Sequence, residues 1–142
     1  MYQTKIISPS CDLTDALFVR DVVFTKEQGF ADPDSDEFDP VATHVVLCDG
    51  DKPIATGRTY CSHEDTFKLG RIAVIKEYRG QELGRAIISE LERLSIAQGA
   101  KQLTLGAQLY AVPFYQKCGF ISTGERYMDE FCEHETLLKN LT

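Results

Sequence analysis

The sequence predicts a single α/β domain (1–142) in which a mixed β-sheet carries helices on both faces. Residues 43–75 contain three apolar, strand-like segments joined by short turns, a pattern typical of an antiparallel meander. A helix-like segment links the third strand to a later one, and such a crossover favours locally parallel pairing. With 142 residues and 43% hydrophobic composition, the chain can form one good core.

The N-terminal region is predicted to contain a strand, a helix and an acidic loop. The strand covers residues 2–7. Apolar residues at helical spacing predict a helix over residues 13–28, and Gly29 ends it. Residues 31–40 form a loop with five carboxylates, which could attract a cationic molecule or simply be solvated.

The remaining elements follow from periodicity and turn signals. The meander strands are predicted at 43–48, 53–61 and 66–75, and the Asp49-Gly50 pair marks the first hairpin. After the meander we expect helices at 83–97 and 112–117, and strands at 102–106, 120–124 and 131–139.

Composition narrows the class of protein. A net charge of −7 argues against nucleic acid or an anionic membrane as the main partner. No apolar run reaches membrane-spanning length and no signal peptide is evident, so we expect a cytoplasmic protein. The five cysteines are odd in number and irregularly spaced, which predicts neither a disulfide framework nor a metal site.

One turn concentrates positive charge in this acidic chain. It lies between the third meander strand and the next helix, and it consists of Arg79, Gly80, Gln81, Glu82, Leu83, Gly84 and Arg85. A glycine-containing turn into a helix exposes backbone N–H groups that bind phosphate-like anions. The spacing matches neither a dinucleotide fingerprint nor a Walker loop. Taken alone, the turn could equally be an ordinary strand-to-helix connection.

Three segments in a fixed order carry a family resemblance: LGRIAV at 69–74, the turn RGQELGR at 79–85, and AVPFYQKCGF at 111–120. In this order they resemble the GNAT superfamily of acyl-CoA-dependent N-acetyltransferases, over nearly the whole chain. The EQG and ATHV segments at 27–29 and 42–45 are similar to those of the small bacterial ElaA/YjcF-like group.

The resemblance implies a binding mode for acetyl-CoA. The strand holding Ile72, Ala73 and Val74 would splay from its neighbour and offer backbone groups to the pantetheine arm and the acetyl carbonyl. The pyrophosphate would rest on the 79–85 turn, and Gln108 could bond the pantetheine amides through its own amide.

Two positions depart from the family pattern. Glu82 stands where glycine is common and adds negative charge beside the expected pyrophosphate, so we expect its side chain to point outward. A carboxylate there also suits the helix dipole. Gly70 stands where the close group often carries an acidic residue, which puts a substrate-site role for this position in doubt.

Catalytic roles also follow from the resemblance. Tyr115 matches the tyrosine that often serves as general acid, and a phenol of pKa about 10 can protonate a departing thiolate. Alternatively, Tyr115 is only a packed aromatic. Candidates for the base are Glu27, which the sequence favours, and His44, Glu125 and His134; a water relay could replace any of them.

The expected function is direct transfer of an acetyl group from acetyl-CoA to a primary amine in a ternary complex. The main alternative is a non-catalytic acyl-CoA-binding or sensing module, followed by a partner-binding domain without a cofactor. The acceptor stays open among small amines, amino sugars, polyamines, peptide N-termini and lysine. A homodimer is possible.

Overall fold

In the computed structural model, which describes residues 2–141, seven β-strands form one mixed sheet in the order β1-β2-β3-β4-β5-β7-β6. All neighbouring pairs are antiparallel except β4 and β5, which run parallel. The predicted meander and the parallel crossover are therefore confirmed. The strands are β1 (Gln3–Ile7), β2 (Thr43–Asp49), β3 (Lys52–His63), β4 (Thr66–Val74), β5 (Gln102–Gln108), β6 (Ile121–Asp129) and β7 (Cys132–Asn140).

Helices cover both faces of the sheet. On one face lies α1 (Thr14–Arg20), continued by a π-helical segment (Asp21–Glu27); on the other lie α2 (Leu83–Ala97) and α3 (Val112–Lys117). The bounds of α2 and α3 match the predicted ones. Among residues 2–141, no helix has both the length and the apolar character needed to cross a membrane.

The first helix differs from the single α-helix predicted over residues 13–28. Its second half is π-helical, and the N–H of Gln28 donates to the carbonyl of Val23 at 2.9 Å. A π-helical segment changes the angular position of the residues that follow it. In this geometry Glu27 reaches Arg79 and Gln28 reaches Gln108. Tertiary contacts at the end of the helix therefore override the local α-helical preference.

Helix α2 forms the main core with the sheet. Its buried residues Ile87 and Leu91 contact the sheet directly above Gly57 of β3. A Cβ at Gly57 would lie 2.6 Å from Ile87 and 2.8 Å from Leu91, so only glycine permits this close approach. The apolar stripe of α2 can therefore pack closely on β3, because Gly57 beneath it has no side chain.

Strands β4 and β5 separate soon after they pair. The parallel register covers only Thr66–Lys68 against Gln102–Thr104. Beyond that point β4 stays paired with β3 through a bulge opposite Gly57, where Arg71 adopts a left-handed φ of 50°. Within residues 2–141, the edges of β4 and β5 that face each other beyond the pairing therefore have no strand partner.

Three arginines hold the acidic loop against the sheet. Arg20, 1% exposed, donates to both carboxylate oxygens of Asp39 at 2.9 and 3.0 Å. Arg58 of β3 binds Asp39 and forms a two-point contact with Asp36. Arg20 and the Arg71 side chain also pair with Asp34. The loop is therefore neither fully solvated nor free to bind a cation with these three carboxylates.

Replacing Asp39 with Asn should destabilise the fold strongly. The change leaves two buried arginines without their shared counter-charge, and breaking a buried ion pair costs about 3–5 kcal/mol. Urea unfolding at pH 7 measures the loss. Asp51→Asn, at the exposed hairpin turn, is the matched control and should change stability by less than about 0.5 kcal/mol.

The same pair of variants gives a pH test. Burial alone would raise the pKa of Asp39, but Arg20 and Arg58 outweigh it and lower the pKa to about 2. The stabilisation by Asp39 is thus complete above its unfolded pKa of about 3.9 and is lost as the pH falls towards 2. The difference between wild type and Asp39→Asn should shrink over that interval. A constant difference would contradict the ion-pair explanation.

Candidate active site

A cleft opens on the α1 face of the sheet, where β4 and β5 separate. Its volume is about 310 Å³. The floor includes Gly70 of β4, Gly106 of β5 and His134 of β7, and the wall includes Phe24 and Phe30 at the end of the first helix and the loop after it. The fold therefore places this cavity beside the unpaired strand edges.

The predicted strand residues border this separation. Ile72 and Val74 pack against the α2 core, and Ala73 packs against Val19 and Val23 of the first helix. Their side chains thus pack into the hydrophobic clusters on alternating faces of the sheet. What these residues offer in the plane of the sheet is backbone, on the edge that faces β5.

The 79–85 turn presents unpaired backbone donors at the start of α2. The first bond of this helix runs from the N–H of Ala86 to the carbonyl of Glu82. The N–H groups from Gly80 to Arg85 have no backbone acceptor among residues 2–141. Leu83 is buried in the core and anchors the helix, so these donors are held in place around a site suited to an anion.

Other residues of the turn shape its surroundings. The hydroxyl of Tyr2 donates to the side-chain oxygen of Gln81 at 2.7 Å. A Cβ at Gly84 would lie 3.3 Å from the ring of Phe114 in α3. Because glycine has no Cβ, the two helices can approach each other closely here. Arg85 is exposed in the first turn of α2. Its only ion-pair contact within residues 2–141 is a loose one with the exposed Glu82, which leaves it able to meet an anion.

The side chain of Glu82 is exposed to solvent, which is compatible with the outward direction expected from the sequence. Its side chain is 82% exposed and lies 3.8 Å from Arg85. The backbone of Glu82 is left-handed, with φ 60°. Glycine adopts this conformation at little cost and other residues do so at a penalty, which explains why glycine suits this position.

Arg79 braces the turn instead of facing the anion site. Its Nε donates to the carbonyl of Val74 at 2.9 Å, and its two terminal nitrogens donate to Glu27 at 2.7 Å each. The hydrogen bond from Arg79 lowers the pKa of Glu27. Glu27 also lies outside the cleft lining. This placement does not favour the predicted role of Glu27 as base.

Tyr115 lies in α3 with its side chain at the cleft. No hydrogen-bond partner of its hydroxyl is found among residues 2–141. Burial raises the pKa of Tyr115 above its usual value, so the phenol is protonated at neutral pH. Its ring also packs edge-on against Phe114 and Phe120, so Tyr115 is both part of the apolar packing and part of the cleft lining.

A row of side chains crosses the cleft floor from β5 to β6. The strand registers place Gln108 beside His134, and His134 beside Tyr127. The Nε2 of Gln108 donates to the Oε1 of Gln28 at 2.9 Å, which links the row to the first helix. Sequence reasoning missed Tyr127, which the strand order β5-β7-β6 brings to this row, and Gln28, which the end of the first helix places against Gln108.

The cleft carries net negative charge. Five carboxylates and three cations line it, and among the cations Arg58 and Arg71 are committed to the acidic loop. The carboxylates outside this network are Asp32, Asp129 and Glu130. The remaining cation is Lys68. Such a field attracts cations. Within residues 2–141, no group of three His, Cys, Asp or Glu side chains could hold a metal ion.

Comparison with solved structures identifies the same fold in other proteins. Escherichia coli ElaA superimposes with a TM-score of 0.89 at 26% identity, covering 99% of this chain and 100% of ElaA. An acyl-CoA N-acyltransferase from Pseudomonas aeruginosa has a TM-score of 0.89 at 21% identity, covering 98% and 99% of the two chains. At that lower identity, the second match supports the fold alone.

Sequence comparison identifies the family. The uncharacterized N-acetyltransferase YjcF of Bacillus subtilis (strain 168) is 37% identical over 130 residues, covering 90% of this chain and 92% of YjcF. A family model described as an acetyltransferase (GNAT) domain matches residues 24–140. That match spans most of the chain and includes the diverging strands, the turn and α3. The chain therefore belongs to the GNAT acetyltransferase family.

Proposed function

We propose that the protein transfers an acetyl group from acetyl-CoA to a primary amine, directly and within a ternary complex. The observation that carries the proposal is the gap between β4 and β5, where the strand edges lack strand partners within residues 2–141. The cleft beside Tyr115 borders this gap, and β4 leads into the 79–85 turn with its free N–H groups.

Backbone groups would do most of the cofactor binding. The edge at Ile72, Ala73 and Val74, apart from the Val74 carbonyl that accepts from Arg79, would bond the pantetheine arm and the acetyl carbonyl. The N–H groups at the start of α2 would hold the pyrophosphate, assisted by the helix dipole. Gln108 would exchange its bond to Gln28 for one to the pantetheine. Arg79 keeps the turn attached to β4 and to the first helix.

Tyr115 would act as general acid. Attack by the amine nitrogen on the thioester carbonyl forms a C–N bond, and the C–S bond breaks. The departing sulfur needs a proton, and the protonated phenol of Tyr115 supplies it.

The charge of the cleft selects among acceptors. A protonated amine is attracted by Asp32 and Asp129 and by Glu130, which keeps its charge although it accepts hydrogen bonds from the N–H groups of Ala31 and Asp32. A carboxylate on the acceptor would be repelled by them, because Arg58 and Arg71 already serve Asp34, Asp36 and Asp39. The favoured acceptor is therefore a cationic amine without a neighbouring carboxylate.

CoA release from acetyl-CoA across matched pairs of amines tests the proposal. Phenethylamine against phenylalanine and putrescine against ornithine differ only by a carboxylate. We expect turnover, with kcat/KM about 10-fold or more higher for the member without the carboxylate. Equal or reversed preference would contradict the charge argument. Calorimetric CoA binding with no turnover of any amine would favour the sensing alternative.

Replacing Tyr115 with Phe should lower kcat by about 10²–10⁴-fold, because the general acid is lost while the aromatic ring stays. The KM for acetyl-CoA should change little. Tyr78→Phe is the matched control: it removes a hydroxyl that bonds the exposed Asp49 outside the cleft. Full turnover in Tyr115→Phe would remove this residue from the mechanism.

Replacing Glu82 with Gly should raise the free energy of unfolding by up to about 1 kcal/mol, because the left-handed backbone strain is relieved. CoA affinity should change by less than about fivefold, since even 4 Å apart two charges in water interact by only about 1 kcal/mol. Glu82→Ala removes the charge but keeps the Cβ, so it should not gain stability. Much tighter CoA binding in both variants would show that the carboxylate faces the pyrophosphate.

A further inference from the structure

The imidazole of His134, on the cleft floor, is held in one orientation by the residues around it. Its side chain is 9% exposed, and the ring of Tyr127 stacks on it with centroids 5.4 Å apart and planes 20° apart. The hydroxyl end of Tyr127 lies directly over Gly106, where a Cβ would be 1.8 Å from that oxygen. Gly106 thus makes room for Tyr127, and Tyr127 fixes the imidazole.

A single hydrogen bond sets the tautomer of His134. Its Nδ1 lies 3.1 Å from the carbonyl oxygen of Cys132. A carbonyl can only accept, so the proton of the neutral ring is on Nδ1 and the lone pair is on Nε2. Nε2 has no protein partner within residues 2–141, yet it is not among the atoms sealed from solvent. It is therefore accessible to solvent, in a residue that lines the cleft.

We propose that Nε2 of His134 is the general base that deprotonates the acceptor amine. This role rests on the proposed acetyl transfer. The ammonium gives one proton to Nε2, and the resulting imidazolium keeps its Nδ1–H bond to Cys132. The neutral nitrogen then forms the C–N bond. As the C–S bond breaks, Tyr115 protonates the sulfur and regains a proton from the new amide nitrogen, while His134 releases its own to solvent.

The other candidates are placed less well. Glu27 is held by Arg79 outside the cleft. His44 directs Nε2 to the carbonyl of Asp39 at 3.1 Å and is buried away from the cavity. Glu125 accepts a hydrogen bond from Thr136 and also lies outside the lining. Of the four candidates named from the sequence, only His134 lines the cleft, where it lies next to Gln108 in the row of side chains on the floor.

The cleft that His134 lines is bordered by several other elements. The titratable and charged groups that line it are Tyr127, Asp129 and Glu130 on the β6–β7 hairpin, Tyr110 and Tyr115 after β5, Asp32, Asp34 and Asp36 in the acidic loop, Arg58 and Tyr60 on β3, and Lys68 and Arg71 on β4.

The kinetic test compares two amines that differ in protonation. His134→Gln should lower kcat/KM for phenethylamine at neutral pH by about 10²–10⁴-fold. The loss should shrink as the pH rises towards the pKa of the amine. It should also be small for hydroxylamine, which is largely unprotonated at neutral pH and needs no base before attack. His63→Gln, at an exposed position next to the β3–β4 turn, is the matched control and should behave as wild type.

Three outcomes would overturn the proposal. An equal loss on both amines would show that His134 only positions other groups. Wild-type behaviour of His134→Gln on both amines, or the amine-selective loss in Glu27→Gln instead, would assign the base elsewhere. Failure of the proposed acetyl transfer is distinguishable, because wild type would then release CoA with none of the amines.

An independent measurement on wild type does not depend on the variant folding. Nitrogen-15 NMR of the labelled histidines reports which ring nitrogen carries the proton. We expect neutral His134 to be protonated at Nδ1 and unprotonated at Nε2, both without ligand and with CoA bound. A proton on Nε2 in the neutral form would contradict the proposed role.

Discussion

Strands β4 and β5 exchange backbone hydrogen bonds over only three residue pairs, and the unpaired edges beyond them are the constraint on which the site depends. Buried backbone groups left without partners cost about 1–3 kcal/mol each, so these edges require water or a ligand. The sheet tolerates the gap because β4 stays paired with β3, and β5 with β7. The bulge at Arg71 lets β4 bend away without losing that support.

Electrostatics on the α1 face divide into a structural and a functional part. The buried guanidiniums of Arg20 and Arg58 neutralise Asp39 and fix the acidic loop as the cleft wall. Because these guanidiniums pair with Asp39, they are not available to pair with a carboxylate on another molecule. The surplus negative charge of the cleft comes instead from residues such as Asp129 at the β6–β7 hairpin. The buried ion pairs therefore stabilise the wall of the cavity, and the remaining carboxylates determine which charge the cavity attracts.

The turn before α2 and the end of β5 are both held by hydrogen bonds to the end of the first helix. Arg79 ties the turn before α2 to Glu27 in the first helix, and one residue later Gln28 holds Gln108 at the end of β5. Both contacts start from the end of the π-helical segment. The end of this segment therefore supports both the turn and the end of β5 that borders the cleft.

The sequence by itself determined the features set by local chemistry: the bounds of α2 and α3, the Asp-Gly hairpin at Gly50, and the glycine-containing turn that begins α2. Helical periodicity and positive φ are readable within a few residues. Only the tertiary structure decided the π-helical segment, the pairing of the acidic loop, the commitment of Arg79 to Glu27, and the placement of His134 between Gln108 and Tyr127. Those features depend on strand order and on contacts between residues far apart in sequence, which local patterns do not encode.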